Sequence, residues 1–327
     1  RMTQAMRGEG RLPLPDTVEL DRIQWAYLIP IAAAHALALL ALVPWLFSWT
    51  GLILAIVGVH VFGQAINVCY HRQLTHRSFK TPRWLEHLFV LMALCCMQDT
   101  PARWVATHRY HHQCSDEQPD PHSPLVSFFW AHVGWLLAHN RGTYSFAMYQ
   151  KYARDVLEDP FYMKLEKRPI LVFYVYLAHA LLFFGVGLAV GWAVDGSAMA
   201  GLQFGLSLLV WGVIVRTVAV WHITWSVNSL THLFGYRNYE TDENSRNNWL
   251  VALLTVGEGW HNNHHHDASS ATNQRRWWEL DISYYEIRLL SWLGLAREVV
   301  PPRERRLAAA KAAQTDRAGE ERAAATH

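Results

Sequence analysis

Residues Leu52 to Phe79 read "LILAIVGVHVFGQAINVCYHRQLTHRSF": an apolar run that gives way to a histidine at His71 and to another at His76. The run from Leu52 to Cys69 approaches the ~20 residues that a helix needs to cross a bilayer. Three other stretches match it: Gln24 to Phe47, Ile170 to Val194 and Met199 to Ser226. Apolar residues make up 51% of the 327-residue chain, and four such runs arranged as two hairpins are hard to place in water. The reading is an all-α membrane protein with four transmembrane helices, over about 24–47, 52–69, 170–194 and 199–226. The shorter runs Leu85 to Met97 and Leu125 to Leu137 fall below spanning length and read as buried or interfacial helices.

The basic residues orient these spans. Of 29 Lys and Arg, four precede the first span, twelve lie between Arg72 and Arg168, twelve follow Arg237, and Arg216 stands alone inside the fourth run. The hairpin tips around Ser48 to Thr50 and Asp195 to Ser197 have none. By the positive-inside rule both termini and both large polar regions face the cytoplasm. The domain plan is thus a cytoplasmic segment 1–23, a membrane domain 24–300 with a helical cap at 71–168 and 228–300, and a mobile tail 301–327. Arg216 is expected to snorkel to water. No cleavable signal pattern is expected, because the first apolar run begins only after more than twenty polar residues. Cys69, Cys95, Cys96 and Cys114 lack C-x-x-C spacing, which argues against a disulfide framework or a thiolate-bound cluster.

Histidines recur wherever the apolar runs stop. "HRYHH" at His108 to His112 and "HNNHH" at His261 to His265 share the spacing H-x-x-H-H. On a helix these positions fall within about one face, so each triplet can aim three rings at one place. Asn228 and His232 in "NSLTH" are four apart and share a face for the same reason. His71 and His76, five apart, require a helix end near the mouth of the second span. Nine imidazoles at one depth exceed what a single structural zinc uses, so two metals fit better than one. Imidazole suits Zn, Cu, Fe and Ni, which narrows the element only in part. One Glu-x-x-His pair, Glu258 and His261, falls short of the two that carboxylate-bridged di-iron bundles need, and Glu258 reads as an outer partner orienting a ring. Of the other histidines, His35, His60 and His179 lie in apolar runs and read as hydrogen-bonding core residues. His87, His132, His139 and His222 read as packing or outer partners, His122 belongs to a turn-like "DPHSP", His327 is terminal, and His266 extends the third cluster without a settled role.

These boxes resemble the membrane-bound fatty acyl desaturases of the stearoyl-CoA delta-9 type. "HRQLTHRSF", "HRYHHQCSD" followed by "DPHSP", "NSLTHLFGYR" and "GEGWHNNHH" carry the likeness, which runs from about His60 to about Val300. The form "HRQLTH" places the chain near bacterial relatives, and hence in a bacterial inner membrane. The resemblance implies a cap of short helices over four spans, holding a di-iron centre through His71, His76, His108, His111, His112, His232, His261, His264 and His265, with Asn228 acting through a water. Zinc can replace iron in such a site in purified protein. Residues matching Gln98, Trp104, Thr224 and Trp225 shape the bend of the acyl tunnel in that family, and those matching Val59 and Gly63 lie near its closed end.

The implied chemistry is physically sound. Taking hydrogen from an unactivated methylene requires an oxidant made from dioxygen, and iron cycles through the states needed whereas zinc does not. Val59, Gly63, Asn67 and His71 recur at intervals of four and form one helix stripe, which either lines the tunnel or, at Gly63, lets helices pack closely. The implied activity is insertion of a cis double bond, at delta-9, into a long-chain acyl substrate. Acyl-CoA is the favoured carrier. Ala106 and Thr107 replace the Arg-Asp pair that helps hold CoA in the animal enzymes, however, so an acyl chain on a lipid or a carrier protein stands beside it. The chain has no haem domain, no G-x-G-x-x-G and no cysteine set for an iron–sulfur cluster. Electrons must come from a separate ferredoxin or cytochrome with its reductase. A related di-iron hydroxylase is the competing enzyme. A metal-transport protein is disfavoured by spans almost free of ionisable groups. Nothing in the sequence points to nucleic acid.

Overall fold

The computed structural model describes residues 12–324, so part of the N-terminal segment and His327 lie outside the described residues. Four helices are long and apolar enough to cross a membrane: Trp25–Leu42, Trp49–Thr75, Ile170–Asp195 and Ala198–Leu230. Ser48 caps the second by accepting from the N–H of Gly51, and Ser197 caps the fourth by accepting from Ala200. Gly196, at φ 69°, closes the third helix and makes the hairpin turn. Between the third and fourth helices two small-xxx-small pairs face each other. A Cβ on Gly187 would sit 2.8 Å from the Cα of Gly205, and one on Gly191 would sit 2.8 Å from the carbonyl of Ala200. Glycine there lets two backbones touch where lipid offers no hydrophobic drive for association.

The second and fourth helices outrun the bilayer. At 1.5 Å per residue their 27 and 33 residues reach about 40 and about 50 Å, against roughly 30 Å of hydrocarbon. Their surplus ends enter the cap and carry functional residues with them. Both contain π-helical stretches, Ala65–Thr75 and Leu208–Val215. The helix end expected near the mouth of the second span comes at Thr75, between the two histidines. The second helix continues through His71, because hydrogen bonds closing at i+5 make a residue five positions on the next one round, and the His76 N–H donates to the carbonyl of His71 at 3.1 Å.

The cap is built from short helices, among them Arg83–Leu94, Pro101–Cys114, Trp249–Thr255, His261–His266 and Ile282–Trp292. Its apolar core, including Tyr70, Val90, Leu94, Val105, Tyr149 and Tyr162, packs beside the end of the second span. Trp84, Trp249, Trp277 and Trp292 are exposed, the last by 82%. Exposed tryptophans of this kind suit a membrane–water interface. The run Leu125 to Leu137 ends in a π turn, Trp130–Gly134, and a single helical turn, Trp135–Leu137. A two-stranded antiparallel ribbon, Val18–Ile23 with Ala138–Asn140, ties the start of the first span to this segment.

One expectation changes here. Arg216 does not snorkel: it is 0% exposed, its Nη1 donates to the carbonyl of Cys95 at 2.9 Å, and its guanidinium lies 4.2 Å from the Phe62 ring. Helix Arg83–Leu94 ends there, and its orphaned carbonyls supply a buried acceptor, so the charge needs no water. The segment after Val300, read as a mobile or marginally helical extension, carries a helix, Arg303–Ala324. Its start is tied down by the Arg303 N–H donating to Asp267 at 2.8 Å, by an Arg306–Asp267 ion pair, and by Glu304 accepting from Tyr239 at 3.0 Å.

Candidate metal centre

All nine expected histidines converge, in two groups. His71, His76, His108, His112 and His264 form one, and His111, His232, His261 and His265 form the other; within each, the ligand atoms of separate rings lie within 4.8 Å of one another. Each H-x-x-H-H box straddles both groups instead of filling one. Positions i and i+4 stay together, as His108 with His112 and His261 with His265, while the i+3 ring goes to the other group. The reason is helical geometry: i+3 and i+4 are about 100° apart. Thr100, accepting from the N–H of Arg103, and Pro101 in the first turn start the helix that carries the second box.

The ring edges face one another. The Nε2 atom of His264 is 3.0 Å from those of His71 and of His112, and that of His261 lies 3.1 Å from those of His232 and His265. Burial holds His76, His108, His112, His261, His264 and His265 well below the usual imidazole range, which leaves neutral rings with free lone pairs. His232 differs: burial would lower it, but the Asp116 carboxylate carries it above the ordinary value. Convergent neutral imidazoles suit a pair of transition-metal ions.

Carboxylates hold the rings from behind. Glu258 Oε2 lies 2.7 Å from His71 Nδ1, so Glu258 does orient a ring, although the ring is that of His71 and not of His261. Burial pushes the Glu258 carboxyl up, yet Arg72 and His71 outweigh it and hold it well below the usual range. Arg72 is itself buried, donating to both Glu258 and Asp281 and to the carbonyl of Ala271. Asp116 backs His232 at 2.7 Å, and Asp120 backs His111 at 3.0 Å. Sequence reasoning missed Asp116 and Asp120, although their place just after the second box, in "CSDEQPD", was the available signal. It also left His122 in a turn, whereas the ring is buried 4.4 Å from His111 and pushed down to about 3 by burial and by that neighbour. His266 stays outside both groups, stacked on Tyr239 with ring centroids 3.7 Å apart.

Two cavities meet at the histidines. One, of about 520 Å³, is lined by Gln98, Trp104, Thr224, Trp225 and Asn228. The other, of about 260 Å³, is lined by Val59, Gly63 and Asn67 and again by Trp104, Thr224 and Asn228. His108 lies on both, so an extended ligand filling them passes the first group where they join. The Gln98 amide donates to Thr224 Oγ1 at 2.9 Å and fixes the wall of the junction. A Cβ built on Gly63 would meet nothing within 4 Å, which decides for the cavity-lining role over helix packing. Arg216 and Trp221 act one step behind: they donate to the carbonyls of Cys95 and Cys96, at 2.9 and 2.7 Å, and anchor the turn that leads into Gln98.

Known proteins are similar to this chain over most of its length. The chain is 41% identical to the sn-1 stearoyl-lipid 9-desaturase of Anabaena variabilis over 279 residues, 85% of this chain and 94% of the relative. It is 37% identical to the sn-2 palmitoyl-lipid 9-desaturase of Nostoc sp. (strain 36), over 88% of this chain and 95% of the relative. An acyl-CoA 5-desaturase of Anemone leveillei is 40% identical, over 85% of this chain and 80% of the relative. The fatty acid desaturase family matches residues 43–293. With four long apolar helices, two histidine groups at their ends and an apolar channel between them, the chain belongs to the fatty acid desaturase family.

Proposed function

We propose that the protein is a delta-9 desaturase of long-chain acyl groups esterified to membrane lipid, with both termini in the cytoplasm. The observation that carries this reading is the pair of largely apolar cavities that share Trp104, His108, Thr224 and Asn228 beside the first histidine group. Overall, –CH2–CH2– with dioxygen, two electrons and two protons gives –CH=CH– and two waters. The nine histidines, with Asn228 through a water, would hold two iron ions, which supply the dioxygen activation that an unactivated methylene requires. Every other task falls to the chain. Trp104 and the Gln98–Thr224 pair fix the bend, so that one carbon pair among many nearly identical ones faces the centre, and selectivity is geometric. The tryptophan and aliphatic walls exclude water. Electrons come from a separate ferredoxin or cytochrome with its reductase.

Three observations favour lipid over acyl-CoA as the carrier. The larger cavity is lined by Ala26 and Pro30 of the first span and by Ile170 and Phe173 of the third, apolar residues of membrane helices. Ala106 and Thr107 offer no charge to a CoA head group. Two of the relatives above are named for acyl-lipid substrates, although one is named for acyl-CoA. Purified enzyme in vesicles, given an electron source, should desaturate stearoyl or palmitoyl chains of the vesicle lipid and leave added stearoyl-CoA unchanged. Mass spectrometry with double-bond mapping reads both; conversion of the CoA ester in the absence of any acyltransferase would reject the lipid carrier, and gain of one oxygen would indicate a hydroxylase. Replacing Asn228 by alanine should lower turnover more than iron content, because a water would stand between this side chain and the metal.

A further inference from the structure

The two histidine groups share one ring chemistry but have unlike surroundings. In the four-histidine group three rings are backed by carboxylates: His232 by Asp116 at 2.7 Å, His111 by Asp120 at 3.0 Å and His265 by Glu243 at 3.8 Å. Among the described residues none of these carboxylates pairs with a lysine or arginine. Asp116 accepts from Ser123 and the N–H of Asn244, Asp120 from the N–H groups of Asp116 and His122, and Glu243 from Ser245. In the five-histidine group the one ring so backed, among the described residues, is His71, and its partner Glu258 is shared with the Arg72 guanidinium at 2.7 Å. One group thus sits against three uncompensated negative charges, the other against a carboxylate already neutralised.

The difference acts on a bound cation in two ways. Negative charge behind the rings raises their basicity and offsets the charge of the metal. A carboxylate on Nδ1 also fixes that nitrogen as the donor, so Nε2 points inward with its lone pair free before any metal arrives. Two of four rings, His232 and His111, are prepared in this way in one group, where Glu243 adds its charge 3.8 Å from His265 without a hydrogen bond, and one of five is prepared in the other. Against this stands a single additional neutral donor in the five-histidine group. An outer partner is typically worth about 10–100-fold in metal affinity, and three carboxylates without a lysine or arginine partner, against one already paired with Arg72, set the balance towards the four-histidine group.

Building on the two-metal reading above, we propose that the four-histidine group is the tighter site and fills first, with Asp116 and Asp120 as its positioning residues. The test uses the metal-free, full-length protein in detergent, titrated with Co(II) and followed by its visible absorption and by equilibrium dialysis, so turnover plays no part. Two equivalents should bind in two steps, the first at least about tenfold tighter. Asp116→Asn should weaken the first step by about 10–100-fold and leave the second unchanged, whereas Glu258→Gln should weaken only the second. Asp120→Asn repeats the test at another ring should the Asp116 variant fail to fold, and the melting temperature of each metal-free variant monitors folding. Two equal steps, or an Asp116→Asn variant that weakens both steps alike or neither, would overturn the proposal. Fewer than two equivalents in the unsubstituted protein would overturn the two-metal reading itself.

Discussion

Replacing His264 by alanine is expected to abolish turnover and to strip at least one iron per chain. The ring lies 3.0 Å from both His71 and His112, on the inner side of the short helix His261–His266, so its loss opens the middle of the five-histidine group. Removing even an outer partner of a metal site costs about 10–100-fold, and a direct ligand costs more. The control is two residues away. His266→Ala removes a ring that stacks on Tyr239 outside both groups, and should retain iron and rate. Elemental analysis of the purified variants, with turnover on vesicle lipid, measures both quantities. A His264→Ala protein with two irons and full activity would refute the shared site.

Replacing Gly63 by phenylalanine should shift preference towards shorter acyl chains without moving the double bond. Gly63 is eight residues before His71, roughly 12 Å along the helix, and lines the inner cavity beyond the bend. Its surroundings differ from those of Gly58 in the same helix, where a Cβ would approach the Arg216 side chain at 3.1 Å. Gly58 is there for packing; Gly63 leaves space. A phenyl ring therefore enters the channel without displacing a neighbour, and overfilling costs about 1–3 kcal/mol for chains that reach it, roughly tenfold or more in kcat/KM. Gln98, Trp104 and Thr224 are untouched, so the bond position should hold. Competition between chain lengths, with products mapped for bond position, checks the prediction. Equal loss for all lengths, or an unchanged profile in a stable variant, would contradict it.

Spans and ligands were legible because their signals are local. Apolar length marks a bilayer crossing and H-x-x-H-H marks a helix face, so six of the rings stood out by spacing, while His71, His76 and His232 were added as clusters at the ends of the apolar runs and the ligand set came from the family resemblance. Features that depend on closing distant contacts were not legible. Asp116 and Asp120 look like ordinary loop acids until the fold places them behind His232 and His111. Arg216 looks like a surface charge until the frayed end of helix Arg83–Leu94 offers it carbonyls. The split of each box between two groups follows from a 100° turn that spacing contains, but only the partners across the cap decide which ring goes where. The ribbon at Val18–Ile23 pairs with residues more than a hundred positions away, beyond the reach of any short pattern.

The π-helical stretch Ala65–Thr75 has a consequence for how this enzyme can vary. A π turn holds one residue more than the α turn it replaces, so the stretch behaves as a phase shift between the membrane part of the helix and its metal-bearing end. Side chains within it can be exchanged while the phase is kept. Its length cannot: one residue removed between Ala65 and His71 would rotate everything beyond by about 100°, swinging His71 off the metal and away from Glu258 in a single step. The site is therefore tuned by counting as well as by chemistry, and this stretch accepts a change of side chain where it does not accept a change of length.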